Sequence, residues 1–259
     1  MKVYIFADME GISGISGGDF ISPDGRFYAD GRRYYTWDVN ACIDGCFLGG
    51  ATGVIVRDGH SCGNHILWDQ LDARAELVQG NSGGMRFPGI DDCQALILLG
   101  YHAMAGTQKA LLEHSYSSKS IQNYWLNGRR AGEIGIDASI AAEHNVPTIL
   151  VTGDDYACRE ATEWIPCVVT CIVKWGLSCQ GARLLSKNEA HRRISEAASS
   201  AVSKISSIPL VKVAHPVKLR TEVVERGNIL HGDEPNVTII DGRTYERISV
   251  SVENAVNGR

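Results

Sequence analysis

The chain has 259 residues, a formal net charge of −5 and an isoelectric point near 5.9, a length that suits one large α/β domain or a main domain with a smaller appendage. It has no stripe of lysine and arginine and no interleaving of aromatic with basic residues, so we expect no nucleic-acid partner. No apolar stretch reaches the roughly eighteen residues of a membrane span, and MKVYIFADME enters a strand without a signal-peptide pattern. We therefore expect a cytoplasmic protein with no membrane partner.

The first predicted strand is an unbroken apolar run that ends at Asp8 and Glu10. Such a run is typical of a strand buried on both faces of a parallel sheet. Because strand side chains alternate, Asp8 and Glu10 project to the same side. Two neighbouring carboxylates repel each other at neutral pH unless a divalent cation holds both ionised. A pair of solvated loop carboxylates is the alternative.

A glycine-rich loop, GISGISGGDF, follows the first strand. It lacks the GKS or GKT ending of a phosphate-binding loop, so we expect it to allow close backbone approach to the site. Apolar residues from Val39 to Phe47 then recur at helical spacing and end at Gly49 and Gly50. A strand, a helix and a second strand in succession predict a first βαβ unit.

Two further apolar runs also end in metal-ligand side chains. GVIVRDGH ends at Asp58 and His60, and QALILLGYH ends at His102. In open α/β sheets the functional crevice lies at the carboxyl ends of the strands, where residues distant in sequence meet. Three strand ends that agree in this way predict a hydrolytic metal site.

The middle of the chain continues the alternation. IQNYWL reads as a strand, the Asn127–Gly128 pair as a tight turn, and the segment from Gly132 as a helix with Glu133 in its first turn. TILVTGDD predicts a fifth buried strand that ends at Asp154 and Asp155. We favour helix capping by these two residues over metal ligation.

The character of the sequence changes after residue 165. A helix is predicted from Lys187 to about Ile205, opened by a capping box of Ser186 and Glu189. Alternating strand-like segments with an Asp241–Gly242 turn follow it. We predict an α/β fold with a mostly parallel sheet flanked by helices, comprising a catalytic domain in residues 1–164 and a smaller α+β subdomain in 165–259 that is involved in oligomer contacts.

The eight cysteines lie mostly in apolar segments, so we expect reduced core thiols rather than disulfides. Cys167 and Cys171 do not have zinc-ribbon spacing, which leaves structural zinc as a minor alternative. Cys62 is the one cysteine near the predicted site, and packing is its default explanation.

Other polar residues of the chain are not interpreted as metal ligands. Asp58 is interpreted as a group that orients a ligand histidine, and His65 is the one further histidine that competes for contact with the site. The remaining histidines are interpreted as structural or exposed: His144, His191, His215 and His231.

A set of collinear motifs resembles the DppA-type D-aminopeptidase family. The motifs are DMEGISG at the first strand, DGHS at the second, LLGYHA around His102, EHS around His114, AGEIG around Glu133, and VTGDD at 151–155. The resemblance extends over residues 1 to about 205, whereas residues 209–259 match only loosely. Members of this family are zinc-dependent, self-compartmentalising peptidases.

The resemblance implies specific roles for residues of this chain. The zinc ligands would be Asp8, Glu10, His60, His102 and Glu133, with Asp8 as the bridge between two zinc ions. His114 would be the catalytic acid or base, and a loop histidine in solvent is the alternative for it.

The activity implied is that of a zinc-dependent amide or peptide hydrolase. It would be an aminopeptidase that releases N-terminal D-amino acids from short peptides through a metal-activated water. The alternatives are a dinuclear amidohydrolase that opens a non-peptide amide or lactam and, last, a metal-binding module without catalysis. The resemblance also implies a homo-oligomer, with a family-type decamer as one form.

Overall fold

The computed structural model describes residues 1–230 and 234–258, and it contains two β-sheets and five α-helices in those ranges. The strands are β1 (Lys2–Ala7), β2 (Gly53–Asp58), β3 (Ala75–Val78), β4 (Ala95–Tyr101), β5 (Ile121–Leu126), β6 (Arg129–Ala131), β7 (Thr148–Asp154), β8 (Val169–Ser178), β9 (Gly181–Leu184), β10 (Val217–Val223), β11 (Val237–Ile239) and β12 (Thr244–Ser249). The helices are α1 (Tyr28–Leu48), α2 (Glu133–Glu143), α3 (Asp155–Trp164), α4 (Lys187–Ser203) and α5 (Val252–Val256).

The larger sheet, sheet A, has seven strands in the order β3-β2-β1-β4-β7-β8-β9, and each neighbouring pair is parallel except β8 with β9. The chain proceeds from β1 toward β3 on one side and from β4 toward β9 on the other. The order therefore reverses between β1 and β4, and a crevice opens at the carboxyl ends of the strands at such a switch point.

The apolar strands of sheet A are covered on both faces. Val3 and Ile5 of β1 lie in a core with α1 and α4, whereas Tyr4 and Phe6 lie in a second core with α2 and α3. This alternation explains why β1 is apolar at every position after Lys2. The predicted fold class, a mostly parallel sheet flanked by helices with further α+β structure, is confirmed.

The smaller sheet, sheet B, is antiparallel in the order β11-β12-β10-β5-β6. It combines the hairpin at 121–131 with three strands from the C-terminal part of the chain. In contrast, β8, β9 and α4 belong to the layers of sheet A. The division between the two sheets thus does not follow the predicted boundary at residue 164. The division of the chain into two domains at that residue stays a prediction.

The predicted cap at the start of α4 differs from the structure. Ser186 precedes α4 but its side chain makes no capping hydrogen bond, so the predicted capping box is wrong. Glu189 instead pairs with Arg192 and Arg193, because its carboxylate is drawn to two guanidinium groups on the same helix. In the described ranges, none of the helices combines the length and apolar character needed to cross a membrane.

Candidate metal centre

Six predicted site residues lie together at the switch point of sheet A. Asp8 and Glu10 follow β1, His60 follows β2, and His102 follows β4. Glu133 is the first residue of α2, and His114 lies in the segment between β4 and β5. Five of the six are buried and His114 is partly buried. The carboxyl ends of the central strands therefore bring four of these side chains to one place, as the strand-end pattern predicts, and a helix start and an irregular segment add the other two.

The donor atoms form two groups. Asp8, Glu10 and His60 make the first ligand group, and His102, His114 and Glu133 make the second ligand group. In each group one donor atom from every residue lies within 4.8 Å of the others. Within residues 1–230 and 234–258 these are the two groups of this kind, and neither contains a cysteine.

Asp8 connects the two groups through its two carboxylate oxygens. Its Oδ1 lies 3.1 Å from Nδ1 of His60, and its Oδ2 lies 3.4 Å from Nε2 of His102. The Nδ1 of His60 also lies 3.1 Å from Oε2 of Glu10, and the Nε2 of His102 lies 3.3 Å from Oε1 of Glu133. One carboxylate thus faces both groups at once.

These separations suit a metal ion. Donor atoms about 2.0 to 2.1 Å from a tetrahedral zinc ion lie roughly 3.4 Å from each other. In addition, Oε2 of Glu10 and Nε2 of His102 are buried without a hydrogen-bond partner. Buried polar atoms are ordinarily paired, and a cation bound by carboxylates and imidazoles would satisfy both atoms. The residues present therefore fit zinc.

The electrostatics of the site favour ionised carboxylates. Burial by itself would raise the pKa of Asp8, but its contacts with His102 and His60 outweigh burial and hold that pKa well below the usual range. Burial opposes the contact with His102 in the same way at Glu133, whose pKa is lowered to about 2.

The pKa values of the two imidazoles, His60 and His102, shift upward. Burial would lower the pKa of each, but Glu10 and Asp8 raise the pKa of His60 well above its usual value, and Asp8 and Glu133 do so for His102. A divalent cation that binds here must displace protons from these imidazoles.

His114 faces a cavity beside the two groups. Its Nδ1 lies 2.9 Å from the carbonyl oxygen of Leu112, which can only accept, so Nδ1 carries a proton and the second nitrogen is left for chemistry. That nitrogen, Nε2, lies 3.7 Å from Oε1 of Glu133, and the ring stacks on His102 with centroids 4.0 Å apart. The cavity has a volume of about 740 Å³ and is lined by Asp8, Glu10, His60, His114 and Glu133 among other residues.

Two glycines allow the ends of β1 and β4 to approach closely. The N–H of Gly11 donates to the carbonyl of Gly100 at 2.7 Å, and a Cβ at Gly11 would lie 2.0 Å from the carbonyl oxygen of Tyr101. Gly100 has a φ of +72°, and a Cβ there would lie 2.3 Å from the carbonyl oxygen of Asp8. The glycine-rich loop therefore permits close backbone contact, as expected.

Lys174 of β8 supports the loop that carries Asp8 and Glu10 of the first ligand group. Its Nζ lies 2.6, 2.7 and 2.9 Å from the carbonyl oxygens of Glu10, Ile12 and Ile15. Burial lowers the pKa of Lys174 to about 7, and the carboxylates of Asp154, Asp38 and Glu10 oppose that shift. A neutral amine has only two N–H donors for three carbonyls, so this geometry favours the ammonium form.

Asp58 does not orient the imidazole of His60. Its Oδ2 instead accepts from the backbone N–H groups of His65 and Ile66, at 2.5 and 2.8 Å. The interpretation of Asp58 as a partner of a ligand histidine is therefore wrong, because the turn after β2 presents unpaired N–H groups closer to this carboxylate. His65 does touch the site, since its ring lies edge-on to that of His60 with centroids 4.8 Å apart.

A buried charge network supports the second ligand group. Asp137, fully buried in α2, accepts from Nε and Nη2 of Arg86 at 2.8 and 2.7 Å and from the hydroxyls of Tyr101 and Tyr116 at 2.6 and 2.9 Å. The backbone N–H of Tyr116 donates to Oε1 of Glu133 at 2.7 Å. This set, Arg86, Tyr101, Tyr116 and Asp137, is called the Asp137 network below.

Two further acidic residues hold the segment between β4 and β5. Oε2 of Glu160 accepts from the N–H of Met104 at 2.7 Å, and burial raises the pKa of Glu160 to about 7. Asp154 caps α3 through the N–H groups of Tyr156 and Ala157 and also accepts from the N–H of Leu111 at 3.0 Å. The prediction of capping is thus confirmed at Asp154 and wrong at Asp155, which is the first residue of α3 and accepts from the N–H of Gly176 at 3.0 Å.

The other histidines lie away from the cavity. His144 contacts Asp91, His191 contacts the buried Asp38, and His215 is exposed near Glu143. His231 lies outside the described residues. All eight cysteines are free, and five of them are buried, as expected for core thiols.

Sequence reasoning did not single out Lys174, Arg86, Asp137 or Glu160. Two of them could have been found from the sequence pattern. Lys174 is a lone charge in the apolar run CIVKW, and Asp137 is a lone charge between apolar residues in EIGIDASIAA. A buried charge in such a run requires partners, which marks it for a polar network. Arg86 and Glu160 lie in polar surroundings of the sequence and carried no such signal.

Comparison with known proteins identifies close relatives. The sequence profile of a peptidase family described as D-aminopeptidase, M55, matches residues 1–258. A D-aminopeptidase of Bacillus subtilis strain 168 is 36% identical over 220 residues, which cover 84% of this chain and 80% of the relative. The solved structure of DppA from Bacillus subtilis, a Zn-dependent D-aminopeptidase described as a self-compartmentalizing protease, superposes with a TM-score of 0.92 at 31% identity, covering 98% of this chain and 94% of that chain.

Proposed function

Because the chain belongs to the D-aminopeptidase family, we propose that it is a zinc-dependent aminopeptidase that releases N-terminal D-amino acids from short peptides. The observation that carries this proposal is the position of Asp8, whose two oxygens face two separate groups of metal-ligand atoms. A shared carboxylate is the arrangement that a two-metal hydrolytic site requires. The solved relative is itself Zn-dependent.

In this proposal two zinc ions are held by five residues. Asp8, Glu10 and His60 would hold one ion, and Asp8, His102 and Glu133 would hold the other, so that Asp8 would serve both. The support is the spacing of the donor atoms and the two buried atoms without a hydrogen-bond partner. The Nδ1 of His102 lies 3.1 Å from the carbonyl oxygen of Ala103. Donation of the second ring N–H to a carbonyl is common for a metal-ligating histidine.

Bound zinc supplies a Lewis acid for the scissile carbonyl and lowers the pKa of an attacking water. The chain itself supplies the proton transfer. The Nδ1–H of His114 donates to the carbonyl oxygen of Leu112, so Nδ1 keeps its proton. Nε2 is then the atom that takes a proton from the attacking water and gives it to the leaving amine. The contact of Nε2 with Glu133, at 3.7 Å, and the stacking on His102 fix the direction of the ring.

The cavity determines the size of the substrate. Its volume of about 740 Å³ falls within the range of small-molecule sites, roughly 300 to 1,000 Å³. Besides the ligand groups, its walls combine polar side chains such as Ser117 and Gln180 with apolar ones such as Ile21 and Leu112 and charged ones such as Arg86 and Lys119. A short peptide fits this space and this polarity better than a folded protein does.

The setting of the enzyme is also part of the proposal. We place it in the cytoplasm as a homo-oligomer, with a decamer of the family type as its form and with residues 165–259 contributing to subunit contacts. The support is the description of the solved relative as a self-compartmentalizing protease. Short peptides are its partners, and nucleic acid and membrane are not.

The proposal is tested by hydrolysis of matched substrates. The protein is stripped with chelator, zinc is restored, and cleavage of D-Ala and L-Ala dipeptides and amides is followed side by side. Zinc-restored cleavage confined to the D series is the expected result. Equal cleavage of both series, or cleavage that zinc does not restore, would contradict the proposed activity.

A further inference from the structure

Lys174 is a fully buried lysine whose donors all go to one loop. Its side chain is 0% exposed, and its Nζ contacts the carbonyl oxygens of Glu10, Ile12 and Ile15 at 2.6 to 2.9 Å. An ammonium group has three N–H donors and no acceptor. The three carbonyls therefore match the donor number of this one side chain.

The loop that Lys174 holds carries two members of the first ligand group. Asp8 and Glu10 lie at its start, and Lys174 lies in β8, which is separated from β1 by β4 and β7. The lysine side chain thus links β8 to the loop that follows β1. The ammonium is balanced by nearby carboxylates, Asp154 at the adjacent position of β7 and Asp38 of α1. A buried charge so placed requires partners that an apolar residue would not need.

Without Lys174 the loop would keep the backbone contact of Gly11 with Gly100 but would lose three hydrogen bonds to the segment 10–15. The carbonyl of Glu10 belongs to a proposed ligand, and rotation of that peptide unit would redirect the carboxylates of Glu10 and Asp8. Ligand side chains must be held close to their productive geometry by the groups behind them. The Nζ contacts fix three carbonyls of the segment 10–15 at once.

We propose that Lys174 is a positioning residue of the metal centre, which fixes the 8–15 loop so that Asp8 and Glu10 point into the cavity. This inference rests on the proposed zinc function. It assigns to Lys174 no contact with substrate. Its effect is therefore expected on metal affinity and metal geometry before any effect on turnover.

The test compares Lys174→Met with Val151→Ala in the full-length protein. Methionine keeps an unbranched stem but no N–H donor. Val151 is buried in β7 in the core on the other face of sheet A, so its truncation costs stability without touching the loop. Zinc dissociation constants are measured by chelator competition, and the absorption spectrum of the Co²⁺-substituted protein reports ligand geometry.

The expected result is zinc binding at least about tenfold weaker in Lys174→Met, with an altered Co²⁺ spectrum, while Val151→Ala keeps the wild-type values. Unchanged affinity and spectrum in a folded Lys174→Met protein would overturn the inference alone. A wild-type protein that binds neither Zn²⁺ nor Co²⁺ would overturn the proposed metal site and the inference with it. If Lys174→Met does not fold, Lys174→Gln, which keeps two N–H donors but no charge, is judged by the same two outcomes.

Discussion

The two ligand groups differ in how the protein holds them. In the first group, Asp8, Glu10 and His60 follow the central strands β1 and β2, and the loop behind them is fixed by backbone contacts and by Lys174. In the second group, Glu133 begins a helix, and its contacts reach the side-chain charges of the Asp137 network. The first group thus depends on the sheet and its backbone, whereas the second depends on a buried polar network.

This difference determines what a substitution will do. In the first group the backbone ladder of sheet A persists without any one side chain, so the sensitive point is the single lysine, Lys174, that holds the loop. A buried polar network is sensitive, because removing one member leaves the others unpaired in a low-dielectric interior. Distant substitutions are therefore expected to reach the second group at any member of the network, and the first group through Lys174.

The largest effect is expected at His114, which separates chemistry from metal binding within the second group. His114→Ala should lower kcat by about 10² to 10⁴-fold, the usual contribution of a general acid or base, with the zinc content unchanged. The measurements are steady-state kinetics on a D-Ala dipeptide and metal analysis. His144→Ala, away from the cavity beside Asp91, is the control and should change neither. A loss of zinc in His114→Ala would make His114 a ligand instead.

A smaller effect is expected in the Asp137 network. Asp137→Asn removes the charge that Arg86 neutralises and should weaken zinc binding at the second group by about 10 to 100-fold, while the first group keeps its affinity. Zinc titration resolved into two steps measures this. Ser139→Ala is the control, because Ser139 is buried in the same helix and bonds only to the Gly135 carbonyl. Equal weakening of both steps in Asp137→Asn would remove the distinction between the two groups.

The smallest effect concerns Glu160, whose pKa is raised from 4.5 to about 7 by burial. Below pH 4.5 the carboxyl is protonated in the folded and the unfolded chain. Between pH 4.5 and 7 the unfolded chain ionises first, so stability falls as pH rises and then levels off. Relative to Glu160→Gln, the wild type should lose about 3 kcal/mol across this window as an upper estimate. Urea unfolding at pH 4.5 and pH 8 in chelator measures it, and a pH-independent difference would contradict the raised pKa.

The first ligand group could be predicted from sequence because local pattern determines it. Unbroken apolar runs indicate strands buried on both faces, and the residues that end those strands meet at one edge of the sheet. The rule gives Asp8, Glu10 and His60 of this group, and it also gives His102 of the second group and Asp58, which lies in neither group. Glu133 and His114 needed the family resemblance, since a helix start and an irregular segment carry no such rule.

The supporting residues could not be predicted because their partners are remote in sequence. Lys174 contacts a loop some 160 residues earlier, and Arg86 contacts Asp137 across 51 residues. Asp58 was misinterpreted for a related reason. Its position next to His60 in sequence suggested a partner, whereas the turn after β2 brings the N–H groups of His65 and Ile66 closer. Spacing along a strand predicts the side to which a side chain projects, but it does not predict which hydrogen-bond donor will contact that side chain.

The central claim is that Asp8 joins two separate zinc sites, and metal stoichiometry tests it most directly. Zinc bound per chain is measured for the wild type and for His60→Ala, His102→Ala and Asp8→Ala after chelation and reconstitution. The account predicts two ions in the wild type, one in each histidine variant and none held tightly in Asp8→Ala. One ion in the wild type, or two ions retained in Asp8→Ala, would contradict it.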